Sequence, residues 1–115
     1  MGQPTAKYGA ILRDLHSHLS KYGERNWAQV LQDRIAELEQ IDRVRTPISG
    51  YVEHLSRTKT AFGGMGSLND ISITRQAGYS VPHWKASWVN LKLRRLRTAL
   101  YNEIIRLESK ASKEQ

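Results

Sequence analysis

Four histidines and no cysteine define most of the chain's capacity for side-chain chemistry. His16 and His18 stand two apart on a helical stretch, so their rings point about 200° apart and do not close on one ion. His54 and His83 are isolated in sequence. No pair has the i, i+4 spacing with a glutamate that a zinc hydrolase needs. Without cysteine there is no disulfide scaffold, thiolate zinc site or thiol nucleophile. Four of the eleven acidic residues fall on the polar side of the second helical stretch, where solvated surface is their ordinary role, and no carboxylate pair stands out for general acid–base work. The expectation is a protein that is not an enzyme and uses no metal and no cofactor.

A glycine-rich segment, Phe62-Gly63-Gly64-Met65-Gly66-Ser67-Leu68-Asn69-Asp70, is the most unusual stretch. Its amides could cradle an anion. Yet the third glycine of a dinucleotide fingerprint is missing, Asn69 standing in that region, and no Gly-Lys-Ser or Gly-Lys-Thr comes after it. Ser67 lacks the Gly-X-Ser-X-Gly context of a nucleophile elbow. Two readings stay open. The segment is a helix stop with Asn69 or Asp70 capping the next element, or it is a partner-contact loop through Gly64, Met65, Ser67, Asn69 and Asp70. The glycines predict a left-handed backbone at Gly64 or Gly66.

Arg34 falls within the apolar stripe of the second helical stretch, among Val30, Leu31, Ile35 and Leu38. Either it lies at the stripe's edge and reaches water, or it is buried and paired, with Asp70 or Glu53 as partner. An Arg34–Asp70 pair would fix the glycine segment against that helix. Further on, Trp84 and Trp88 stand one turn apart ahead of Lys92, Arg94, Arg95 and Arg97. Aromatics beside arginines suit a protein hot spot or base stacking. The plainer alternative is a solvated polar face with tryptophans closing the bundle end. Trp84, Trp88, Arg94, Arg95 and Arg97 are therefore candidate partner-binding residues.

Apolar spacing supplies the elements that must position these groups. Four stripes of helical period predict helices near 5–22, 26–44, 47–62 and 83–109. They carry Tyr8, Ile11, Leu12, Leu15, Leu19 and Tyr22; then Trp27, Val30, Leu31, Ile35, Leu38 and Ile41; then Ile48, Tyr51, Val52, Leu55 and Phe62; then Val89, Leu93, Leu96, Leu100, Ile104 and Leu107. Gly23 suits a stop, Asn26 with Gln29 resembles a capping box, and Pro47 suits a first helical position. Residues 63–82 form a long glycine-rich connection in which Ile71 and Ile73 alternate with polar residues. The expected fold is all-α: one domain over residues 1–115, ordered core about 5–109, packed as an antiparallel bundle of about four helices.

The 115 residues carry 18 basic and 11 acidic side chains, a net charge of +7. Residues 83–115 hold eight of the basic and three of the acidic ones, so most of the excess sits in the last helical stretch. A basic end on a neutral body points to an acidic partner surface or to nucleic acid. No apolar run is long enough to span a membrane, and the first residues lack a signal-peptide core or a myristoylation pattern, so a cytoplasmic protein is expected.

The run from Phe62 to Ile71, with an apolar pair and a basic terminal helix after it, resembles a family of small uncharacterised bacterial helical proteins. Trp27 and Leu31 add weaker support. That family is similar to immunity-type proteins found beside interbacterial toxins. The resemblance rests on ten of the 115 residues and carries over no catalytic residue. It implies a non-catalytic protein that neutralises a cognate toxin by direct binding. The alternative is a small basic nucleic-acid binder using the last helix, against which stand the spread of charge around that helix and the lack of helix-turn-helix spacing.

Overall fold

The structure, a computed structural model, describes residues 5–44, 47–60, 73, 78–79 and 81–114. Four α-helices make up its body: α1 Ala6–Lys21, α2 Arg25–Arg43, α3 Val52–Thr60 and α4 Ala86–Glu114. Single 3-10 turns, η1 Ile48–Tyr51 and η2 His83–Lys85, lead into α3 and α4. There is no strand among the described residues. The fold is an all-α helical bundle.

Helix α1 forms because Tyr8, Leu12, Leu15 and Leu19 recur at helical spacing and are fully buried. It stops at Gly23, whose φ of +86° is costly for any residue with a Cβ. There the Gly23 N–H donates to Ser20 O at 3.2 Å and the Glu24 N–H to Leu19 O at 2.9 Å, a Schellman closure. Only three residues separate α1 from α2, which turns the two helices into an antiparallel hairpin.

The cap of α2 differs from expectation. Glu24, two residues before Asn26, accepts the Trp27 N–H at 2.6 Å, while Asn26 lies inside the helix. An ionised carboxylate at a helix start answers both the unpaired amides and the helix dipole, so it outcompetes the neutral amide. Leu31, Ile35 and Leu38 are buried as expected, but Val30 is exposed, as is Val52 on α3. Pro47 precedes the first turn of η1 in an extended conformation. In α3 the buried face is Leu55 with His54 and Thr58.

Helix α4 runs about 43 Å at 1.5 Å per residue. It extends to Glu114, beyond the expected end near 109, because Ala111 continues the buried row of Val89, Leu93, Leu100, Ile104 and Leu107. Its first turns pack against the end of α1, where His18 Nε2 meets Val89 O at 2.9 Å. Its far half meets η1 and α3, where Lys59 pairs with Glu108 at 3.0 Å. Truncating a wholly buried residue such as Leu12 or Leu100 to alanine would cost about 2–5 kcal/mol. Within 63–82, Ile73 is buried. Asn90 of α4 receives the Ile73 N–H at 2.7 Å and donates to Ile73 O at 2.8 Å, so one side chain takes the place of a neighbouring strand.

Candidate functional site

A groove of about 690 Å³ runs between the second half of α1 and the first half of α4. On α4 and η2, Lys85, Trp88, Lys92 and Arg95 succeed one another at 3, 4 and 3 residues, the spacing of one helical face, over about 15 Å. The opposite wall is Asp14, Ser17, His18 and Lys21 of α1, with Tyr22 just beyond. Two walls from two helices therefore bring four cations together with a single carboxylate.

Tyr22 organises one end. The Lys21 and Lys85 ammonium groups lie over its ring at 5.6 and 6.0 Å, and His18 packs edge-on against it at 5.2 Å between centroids. His18 forms the floor. The Val89 carbonyl can only accept, so His18 Nε2 carries a proton. Burial pushes the His18 pKa below the usual histidine range. The Val89 hydrogen bond opposes this, and the positive charges of Lys92 and Lys21 add to it.

Several cations elsewhere are paired. Arg13 meets Glu39 at 3.3 Å, Arg57 meets Glu37 at 2.6 Å and also Glu53, Lys59 meets Glu108 at 3.0 Å, and Arg106 meets Glu103 at 2.6 Å. Among the described residues no ion pair engages Lys21, Lys85, Lys92 or Arg95. Trp88 is 72% exposed and stands between Lys85 and Lys92, and Trp84 is 78% exposed. Neither closes the bundle end.

A second constellation is structural. Tyr8 Oη lies 2.8 Å from His54 Nε2 and 2.8 Å from Thr58 Oγ1, and His54 Nδ1 lies 2.7 Å from Glu37 Oε1. Burial lowers the His54 pKa, and the Arg34 and Arg57 charges do the same, against the pull of Glu37. Burial alone would raise Glu37, but the hydrogen bond from His54 and the charges of Arg34, His54 and Arg57 hold it below the usual carboxylate range. Burial also drives the Tyr8 phenol far above its ordinary value. Tyr8 is wholly buried and His54 nearly so, which locks three helices together and leaves a substrate no access. The sequence signal was present: His54 and Thr58 share the face of Tyr51 and Leu55 on a short helix.

Trp88 and Arg95 line the groove; Trp84, Arg94 and Arg97 do not. Arg94 is exposed, while Arg97 is half-buried and partnered. Gly64, Met65, Ser67, Asn69 and Asp70 lie outside the described residues, as do the expected backbone at Gly64 or Gly66 and the Arg34–Asp70 pair. Arg34 is half-buried, 3.8 Å from Glu37, with its Nε unpartnered among the described residues, and Glu53 pairs with Arg57 instead. Lys21, Lys85 and Tyr22 were missed as site residues, because nothing in sequence ties the end of α1 to the start of α4. No cluster of metal-ligating side chains is found among the described residues, and no helix there is long and apolar enough to cross a membrane.

No curated protein and no solved structure matches the chain. A family profile does match, over residues 20–82. That span takes in Lys21 and Tyr22, α2, α3 and the Glu37–His54 contact, and ends before the α4 wall of the groove. The match covers more than half of the 115 residues, and the chain belongs to the family described as a domain of unknown function, DUF6966.

Proposed function

We propose that the protein acts by stoichiometric binding, as an immunity-type protein of the bacterial cytoplasm that neutralises a cognate toxin by seating an acidic surface of it in the α1–α4 groove. The observation that carries this reading is Trp88, largely exposed between Lys85 and Lys92 in a groove whose cations have no acidic partner among the described residues. Exposed tryptophan flanked by cations is hot-spot chemistry, and an unneutralised positive groove speeds encounter with an acidic partner. The resemblance of Phe62 to Ile71 to immunity-type proteins supplies the kind of partner.

The test is to look for a toxin-bearing reading frame beside the gene and co-express the protein with it; absence of such a frame counts against the reading. The wild-type protein should restore growth, and the Lys92→Glu, Arg95→Glu variant should not, although it folds. Growth restored equally by both would remove the groove from the mechanism. Trp88 between two lysines also suits stacking on an unpaired base, so single-stranded nucleic acid is the second reading. Sub-micromolar binding of DNA or RNA at physiological salt, with no protein partner recovered, would replace the first reading with this one.

A further inference from the structure

We propose that His18 makes occupation of the groove proton-linked: an acidic occupant binds together with one proton taken up on His18 Nδ1. This deepens the reading of the groove as an anionic docking site and rests on it. His18 lines the groove and is almost entirely buried at its floor. Its Nε2 is committed to the Val89 carbonyl at 2.9 Å, so Nδ1 is the nitrogen left to change its protonation. The charged and titratable groups around it are Asp14, Lys21 and Tyr22 on the α1 side and Lys85, Lys92 and Arg95 on the α4 side.

With four cations against one carboxylate, a fifth positive charge is repelled while the groove is empty. Burial and the neighbouring Lys92 and Lys21 already hold His18 neutral at physiological pH. An occupant carrying negative charge reverses the sign of that local field. It favours the imidazolium, and by reciprocity the imidazolium favours the occupant. The linkage is worth up to about tenfold in affinity for each pKa unit by which the occupant raises His18.

The experiment uses the full chain and a short heparin oligosaccharide, whose sulfates keep their charge across the window. His18 is monitored by NMR from pH 5 to 8 with and without the probe, and affinity is measured at pH 5.5 and 7.5. The expected result is a His18 midpoint below 6.5 in the free protein, raised by the probe, and binding several-fold to tenfold tighter at pH 5.5. His18→Gln keeps a donor for the Val89 carbonyl and should bind equally at both pH values. Binding that is pH-independent in the wild type, or pH-dependent still in His18→Gln, overturns the linkage. The groove reading is tested separately. Affinity unchanged by Lys92→Glu with Arg95→Glu, or no binding at either pH, overturns that reading and the linkage with it. Loss of binding in that variant, with no pH dependence in the wild type, overturns the linkage alone.

Discussion

His54 and Glu37 meet across the α2–α3 interface, Nδ1 to Oε1, at 2.7 Å. On its other side His54 Nε2 lies 2.8 Å from the Tyr8 hydroxyl of α1, which donates its proton to Thr58 Oγ1. One ring thus joins three helices through two hydrogen bonds. An interface of leucines alone would tolerate sliding, but these bonds are made in one register only.

Replacing Tyr8 by phenylalanine should therefore destabilise the fold by about 1–3 kcal/mol, since His54 Nε2 and Thr58 Oγ1 would be buried without that partner. Urea unfolding of the two proteins at pH 7.5 measures it. Equal midpoints would mean that the hydroxyl contributes no specificity or strength to the junction.

Stability should fall on mild acidification. His18 and His54 both have folded pKa values below their unfolded value of 6.5, so the unfolded chain binds more protons. Their contribution is complete above about pH 6.5 and is lost as pH drops below it, by up to about 1.4 kcal/mol per pH unit for each histidine. Glu37 and Glu103 are held below 4.5, so their contribution is lost only at lower pH. Thermal unfolding at pH 5 should show a lower midpoint than at pH 7.5. A flat profile between these values would contradict the burial of both rings.

The turn between α1 and α2 offers a backbone test. Gly23 has φ +86°, and an alanine there would sit in the left-handed region at a cost of about 1–2 kcal/mol. Gly9, in the first turn of α1, has ordinary helical backbone, and a Cβ there would first meet the flexible end of Arg13 at 2.8 Å and then Leu38 at 3.3 Å. Gly23→Ala should lower the melting midpoint more than Gly9→Ala does. The opposite order would place the constraint in packing instead of in the turn.

Binding should carry an ionic signature. Lys92→Glu with Arg95→Glu should slow association with an acidic protein partner at low salt, and far more than Arg94→Glu, whose side chain is exposed but outside the groove. The difference should shrink with salt as the Debye length falls from about 10 Å at 0.1 M to about 3 Å at 1 M. Association rates that ignore salt would detach the basic groove from the encounter.

Local pattern determined the helices. Leu12, Leu15 and Leu19, or Leu100, Ile104 and Leu107, repeat at the helical period, and Gly23 marks a stop because only its own backbone is at issue. The charge excess of residues 83–115 is likewise a property of composition. Where a choice depended on more than local pattern, neighbouring residues were a poor guide: Glu24 caps α2 ahead of Asn26, and Ala111 carries α4 on into the polar tail. Tertiary structure alone decided which charges cancel. Glu37, one of several acids on α2, meets His54 and Arg57 because α3 folds back on it. Lys21 joins Lys85 over the Tyr22 ring because α4 runs antiparallel to α1, bringing together residues more than sixty positions apart. Pairing of charges depends on distances across helix interfaces. Those distances are set by how apolar faces stack, which no local spacing encodes.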